Sequence, residues 1–170
     1  MEFSEVIRNR YSCKNYSDRP LEQEKLDAIL EAGRLAPTAK NLQEQHIYVL
    51  KSEQALAAMD AETPCRYHAP VVLAIAFNQE HVFTYPGGKY SSGIEDAAIV
   101  TTHLMLAAYN EGVGSCWVNF FDPDKLAEAL SLPENEQILA LLDLGYPSEN
   151  GMPLPNHSSR KDLSETVSYL

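Results

Sequence analysis

Arginine, serine and lysine occupy positions 10, 12 and 14 near the start of the chain. In an extended segment, successive side chains point to opposite faces, so Arg10, Ser12 and Lys14 would share one face. A guanidinium, a hydroxyl and an ammonium group on one face can form charge-assisted hydrogen bonds to an anion such as a phosphate. A solvated basic edge would show the same spacing, so these three residues leave both interpretations open.

Three further segments carry side chains or backbone suited to binding. Residues 36–43 read Ala-Pro-Thr-Ala-Lys-Asn-Leu-Gln and follow a predicted helix, although an ordinary helix-terminating turn would also contain Pro37 and Asn41. Residues 112–119 read Gly-Val-Gly-Ser-Cys-Trp-Val-Asn, in which Trp117 is equally expected as a core aromatic. An Arg-Lys pair begins the charged segment 160–167, which a solvated tail would explain as well.

Several other chemistries find no support in the sequence. The five histidines are scattered without metal-ligand spacing, and no GxSxG element marks a hydrolase nucleophile. The two glycines at 112 and 114 follow no strand and lack the third glycine of a dinucleotide fingerprint. The three widely separated cysteines indicate reduced thiols rather than a disulfide framework. We therefore expect no metal.

Charge and length limit the class of protein. The formal net charge of -11 repels phosphate backbones and anionic lipid headgroups, so we expect no nucleic-acid or membrane partner. The longest apolar runs are far shorter than the roughly 20 residues of a membrane helix, and the first residues lack the pattern of a secretory signal. The 170 residues suit one domain, residues 1–170, and a cytoplasmic enzyme is the expectation.

The pattern of apolar residues predicts the elements that position these segments, in the order α-α-β-α-β-α-β-α-β. The run at 71–77 is apolar throughout, which indicates a central strand covered on both faces by helices. The longest helix should cover 94–108 and stop at Gly112, and a strand should follow over 114–121. The chain from 147 to 159, which holds three prolines, is predicted to be extended.

The binding segments resemble, in order, signature segments of the nitroreductase family. Residues 10–16, Arg-Tyr-Ser-Cys-Lys-Asn-Tyr, are similar to the family's Arg-Arg-Ser-x-Arg-x-Phe/Tyr. Residues 36–43 resemble Ala-Pro-Ser-x-x-Asn-x-Gln-Pro-Trp, although Glu-Gln-His follows here. Residues 112–119 resemble Gly-Leu-Gly-Thr/Ser-Cys-Trp-Ile-Gly. Residues 145–147 and 160–167 resemble a Gly-Tyr-Pro ending and a later Arg-Lys-Pro-hydrophobic-Glu-Glu-hydrophobic segment.

The resemblance implies FMN as cofactor and assigns roles to residues. Arg10 and Ser12 would bind the phosphate and ribityl side, Tyr11 would also bind the cofactor, and Lys14 would lie near N1 and O2 of the ring. The segment 37–41 would reach the flavin of the other subunit through its members Pro37, Thr38, Ala39 and Asn41. The ring wall would be formed by Trp117, Val118 and Asn119. Near the other end of the sequence, Arg160 and Lys161 would also bind the phosphate.

The resemblance also implies the fold and the activity. The fold would be α+β, a three-layer α-β-α arrangement whose central, mainly antiparallel sheet is covered by helices. The protein would be a homodimer with FMN at the interface, and its tail, from about 148 to 170, would pack on the partner subunit. NAD(P)H would reduce FMN at N5 in a ping-pong cycle that ends on a small acceptor such as a nitroaromatic or quinone, with no side chain required as a catalyst. The alternative is an FMN-binding sensor or storage protein with little turnover.

Overall fold

The computed structural model describes residues 1–170 and contains six α-helices and four strands. The helices are α1 (Phe3–Asn9), α2 (Gln23–Arg34), α3 (Glu53–Glu62), α4 (Gly93–Asn110), α5 (Pro123–Ala129) and α6 (Leu163–Thr166). The strands are β1 (Gln45–Leu50), β2 (Val71–Asn78), β3 (Gly114–Val118) and β4 (Glu136–Gly145). Through β4, the order of helices and strands is the one predicted from the apolar pattern.

The four strands form one sheet in the order β1-β2-β4-β3. Every neighbouring pair is antiparallel, so the expectation of a mainly antiparallel sheet is confirmed. Strand β2 lies inside the sheet and is buried from Val71 to Phe77, as its continuous apolar run predicts. Strand β3 lies at one edge of the sheet, and β4 is its one neighbour among the four strands.

Two hydrophobic cores lie on opposite faces of the sheet. One core contains Ile29 of α2 and Leu104 of α4 together with Leu73 and Ile75 of β2. The other contains Met59 of α3 and Leu126 of α5, packed against strand residues that include Val72 and Ala74 of β2. Successive residues of β2 thus contribute to different cores because strand side chains alternate. The predicted three-layer α-β-α arrangement is confirmed.

Local signals in the sequence set several helix boundaries. The Ser52 side chain accepts a hydrogen bond from the N–H of Ala55 at 3.2 Å and caps α3. Asp122 caps α5 in the same way, and Pro123 occupies its first turn. Gly112 adopts a positive φ of 71° two residues after α4 ends, as a left-handed stop requires.

Two predictions of local structure were wrong in part. Strand β3 ends at Val118 rather than at Phe121, because pairing with β4 stops at Leu141 and the chain must turn into α5. The tail is not extended throughout, since turns occur at 155–158 and α6 follows. Helix α6 begins with reciprocal hydrogen bonds between Asp162 and Glu165, a capping box. No helix of the chain is both long and apolar enough to cross a membrane.

Candidate functional site

The segment 10–16 lies along the outer edge of β3. Ser12 forms a parallel bridge with Ser115, and the Cys13 N–H donates to the Ser115 carbonyl at 2.9 Å. Cys13 and Tyr16 are buried in the core between the sheet and α3 and α5. The first and third segments singled out in the sequence are therefore in direct contact.

The chain after β4 returns to the same segment. The Ser17 N–H donates to the Tyr146 carbonyl at 2.8 Å, and the Tyr11 hydroxyl donates to the Gly151 carbonyl at 2.8 Å. Any side chain at Gly151 would place its Cβ 2.4 Å from the Asn15 carbonyl oxygen, so only glycine permits this approach. These contacts bring residues from both ends of the sequence into one place.

An open cleft of about 300 Å³ lies between this segment and the tail. It is lined by Arg10, Tyr11, Ser12, Lys14, Leu154, Asn156, His157 and Arg160. The Arg160 guanidinium is held in position because its Nη1 donates to the carbonyls of His157 and Ser159, both at 2.6 Å. The structure therefore brings Arg160 to the Arg10, Ser12 and Lys14 side chains, whereas Lys161 does not line the cleft.

The cleft concentrates positive charge in an otherwise acidic protein. No carboxylate lines it, and the ion pairs of the chain involve other cations, so no acidic partner neutralises Arg10, Lys14 or Arg160. The Lys14 ammonium lies 5.7 Å from the centre of the Tyr67 ring. Two guanidinium groups, an ammonium and a hydroxyl are the donors that a phosphate dianion prefers.

The loop at 37–43 lies outside this cleft and is held against α4. The Ala39 N–H donates to Oδ1 of Asp96 at 2.8 Å, and the Gln43 N–H donates to the Thr38 hydroxyl at 3.1 Å. The loop residues Lys40, Asn41 and Gln43 all have positive φ, between 52° and 58°. Residues other than glycine rarely adopt this backbone conformation. Strained backbone of this kind is concentrated at functional sites.

The segment at 114–119 presents an indole and a strand edge. Trp117 packs partly against the core on the α2 and α4 side, whereas Val118 is buried in the opposite core. The indole N–H donates to Oδ1 of the exposed Asn119 at 2.6 Å. Because β3 is an edge strand, alternate backbone N–H groups after Ser115 point away from β4 and can donate to a ligand.

Sequence reasoning missed four residues of this region. Leu154, Asn156 and His157 line the cleft, but no spacing in the tail links them to the start of the chain. Asp96 holds the 37–43 loop from the first turn of α4, where an acidic residue is also expected for helix stability alone. Only contacts between segments distant in sequence reveal these roles.

A fully buried carboxyl group lies under the segment. Neither oxygen of the Asp143 carboxyl has a hydrogen-bond partner, and burial raises its pKa to about 9. Cys116 lies opposite Asp143 in the sheet, and burial together with this carboxyl raises the pKa of its thiol to about 12. Burial also raises the pKa of the Cys13 thiol. Cys13 and Cys116 are thus protonated packing residues at neutral pH.

The sequence and the fold match known proteins over most of the chain. A sequence model described as the nitroreductase family matches residues 7–65 and 64–146. The chain belongs to the nitroreductase family. A relative from Archaeoglobus fulgidus, provisionally named an NADH dehydrogenase/NAD(P)H nitroreductase, is 30% identical over 87% of each chain.

Solved structures of the nitroreductase family superpose closely on this chain. A nitroreductase family protein of Clostridium difficile is 36% identical with a TM-score of 0.92, covering 99% of this chain and 98% of its own. A provisionally named nitroreductase from Desulfovibrio desulfuricans, solved in complex with FMN, is 25% identical with a TM-score of 0.85. That match covers 100% of this chain and 97% of the other.

Proposed function

We propose that this nitroreductase-family chain binds FMN and is an NAD(P)H-dependent oxidoreductase. The observation that carries the proposal is the cleft in which Arg10, Ser12, Lys14 and Arg160 meet with no carboxylate among them. FMN is a phosphate ester, and these donors suit its phosphate. The names of the relatives support the redox activity, because one refers to NAD(P)H nitroreductase and another to an FMN complex.

Different residues of the site bind different parts of the cofactor. Arg10, Ser12 and Arg160 bind the phosphate and the start of the ribityl chain, with Tyr11 beside them, whereas Lys161 lies outside this cleft and is assigned no contact. Lys14 reaches the edge of the ring. Trp117 forms part of the ring wall, and the backbone of Val118 and Asn119 continues it. The 37–41 loop, with Pro37, Thr38, Ala39 and Asn41, contacts the cofactor of the other subunit.

Bound FMN supplies two-electron chemistry, accepting hydride from NAD(P)H and delivering electrons to a small acceptor such as a nitroaromatic or a quinone. Lys14 places a positive charge where the reduced ring accumulates negative charge, and that charge favours reduction. The cleft offers no side chain that must act as acid or base. The donor and then the acceptor would bind in turn at the same site, which would give ping-pong kinetics.

We further propose a homodimer of one-domain subunits, in which the tail at 148–170 packs on the partner. Large apolar side chains are exposed on the tail and on α4, where Leu163 is 78% exposed and Ile94 is 58% exposed. The exposed large apolar side chains of the tail are Met152, Leu154, Leu163, Val167, Tyr169 and Leu170. Exposed apolar surface of this extent is typical of a protein interface.

The test of the proposed function uses purified protein, its visible absorbance and anaerobic addition of NADH or NADPH. Yellow protein whose absorbance bleaches with either donor, and recovers with a quinone or nitroaromatic, is the expected result. Protein that takes up no FMN would overturn the proposal. Bound flavin that neither donor bleaches would instead favour a flavin-binding sensor or storage protein.

A further inference from the structure

A second cleft, of about 370 Å³, adjoins the first. It is lined by Ser4, Ile7, Arg8, His157, Ser158 and Arg160. His157 and Arg160 line both clefts, so the two are continuous through these side chains. The donors assigned to the FMN phosphate, apart from Arg160, lie in the first cleft only.

The polar lining of the second cleft consists of hydrogen-bond donors for an anion. Two arginines, two serines and His157 line it, no carboxylate lines it, and none of the chain's ion pairs includes Arg8. Ser4, Ile7 and Arg8 share one face of α1 because they are spaced three and four residues apart. The carbonyls that hold Arg160 fix the other wall.

An apolar surface borders these donors on the same helix. Phe3 is 68% exposed and Ile7 is 47% exposed, and their four-residue spacing places them side by side. An aromatic ring and an aliphatic side chain next to phosphate donors form a surface on which a purine ring can stack.

We propose that the second cleft is a subsite for the phosphate of an adenine dinucleotide, with Arg8, Ser4 and Ser158 as its specific donors. Arg160 would be shared between this phosphate and that of the flavin, and Phe3 and Ile7 would contact the adenine. FAD carries such a phosphate as the adenosine 5′-phosphate that FMN lacks, and NADPH carries one as the adenosine 2′-phosphate that NADH lacks. The proposal rests on the proposed function, because the first cleft must hold the flavin phosphate.

The test compares Arg8→Gln with wild-type protein and with Lys125→Gln, which removes the same charge from an exposed position on α5. Flavin fluorescence of the apoprotein measures Kd for FMN and FAD, and steady-state kinetics measure KM for NADH and NADPH. Losing one charge-assisted contact should raise the Kd ratio of FAD to FMN, or the KM ratio of NADPH to NADH, by about tenfold. Ser158→Ala should raise the same ratio by a smaller factor.

The outcomes distinguish FAD from NADPH as the ligand of the second cleft, and they distinguish failure of this inference from failure of the proposed function. A rise confined to the flavin ratio assigns the subsite to FAD, and a rise confined to the nicotinamide ratio assigns it to NADPH. Wild-type ratios in both Arg8→Gln and Ser158→Ala, in protein that still binds FMN and oxidises a donor, would overturn this inference alone. Absence of FMN binding in the wild-type chain would overturn the proposed function and this inference with it.

Discussion

At the scale of single residues, Lys14 lines the cleft together with Arg10 and Ser12 and belongs to no ion pair of the chain. Lys14→Met removes the positive charge that favours the reduced ring, so reduction by NAD(P)H should slow by about tenfold to a hundredfold. Lys14→Arg keeps the charge and should stay within a few fold of wild type. Anaerobic stopped-flow bleaching measures both rates, and equal rates in the Met and Arg variants would contradict the assigned role.

A second prediction at the level of single residues concerns Asp143 and the pH dependence of the free energy of unfolding. The folded protein holds this proton up to a pKa of about 9, whereas the unfolded chain loses it near pH 4. The free energy of unfolding should therefore fall as pH rises between these values, by at most about 1.4 kcal/mol per pH unit. Asp143→Asn is neutral throughout and should flatten this dependence.

Urea unfolding at pH 5 and at pH 8 measures this effect. The variant should gain stability relative to wild type at the higher pH, because the wild-type chain must then either hold a proton or bury a charge. An equal pH dependence in both proteins would show that Asp143 is not the group responsible.

At the scale of elements, much of the architecture could be predicted because burial leaves a periodic signal. The apolar run at 71–77 indicated β2, and the spacing of small apolar residues indicated α4. The end of β3 could not be predicted, since it depends on where β4 stops pairing. The four-residue α6 bears no buried residue, so no apolar periodicity marks it. Its Asp162–Glu165 capping box was the only local signal.

The candidate site divides in the same way. Arg10, Ser12 and Lys14 were predicted to share a face because alternation is a local property, and they do line one cleft. Arg160 could be linked to them only through the family resemblance, since 150 positions separate Arg10 from Arg160 in the sequence. His157 carried no signal of either kind. Its position depends on the hydrogen bonds that dock the tail, such as that between Tyr11 and Gly151.

The hydrogen bond between α4 and the 37–43 loop predicts how substitutions of Asp96 change stability and FMN affinity. Asp96→Ala removes the acceptor of the Ala39 N–H and should cost about 1–2 kcal/mol of unfolding free energy. Asp96→Asn keeps an acceptor oxygen at the same position and should cost less. If the loop also contacts the cofactor, FMN affinity should fall in the Ala variant more than in the Asn variant, as flavin fluorescence would show. Identical FMN affinities in the two variants would show that the loop does not contact the cofactor.

At the scale of the whole molecule, the proposed dimer should appear in sedimentation equilibrium as a mass twice 18.9 kDa. Leu163→Asn removes apolar surface from the tail and should raise the dissociation constant of the dimer by about tenfold. Leu163→Met keeps that surface and serves as the control. A monomeric wild-type chain that binds FMN at full affinity would contradict both the dimer and the interface cofactor.

If the cleft between the two ends of the chain holds the FMN phosphate, the protein should distinguish FMN from riboflavin. Riboflavin lacks the phosphate, so wild-type apoprotein should bind FMN at least a hundredfold more tightly, the effect of two charge-assisted contacts. The double variant Arg10→Ala/Arg160→Ala should lose that preference while its riboflavin affinity stays near the wild-type value. A double variant that still prefers FMN by the wild-type factor would show that the phosphate binds elsewhere.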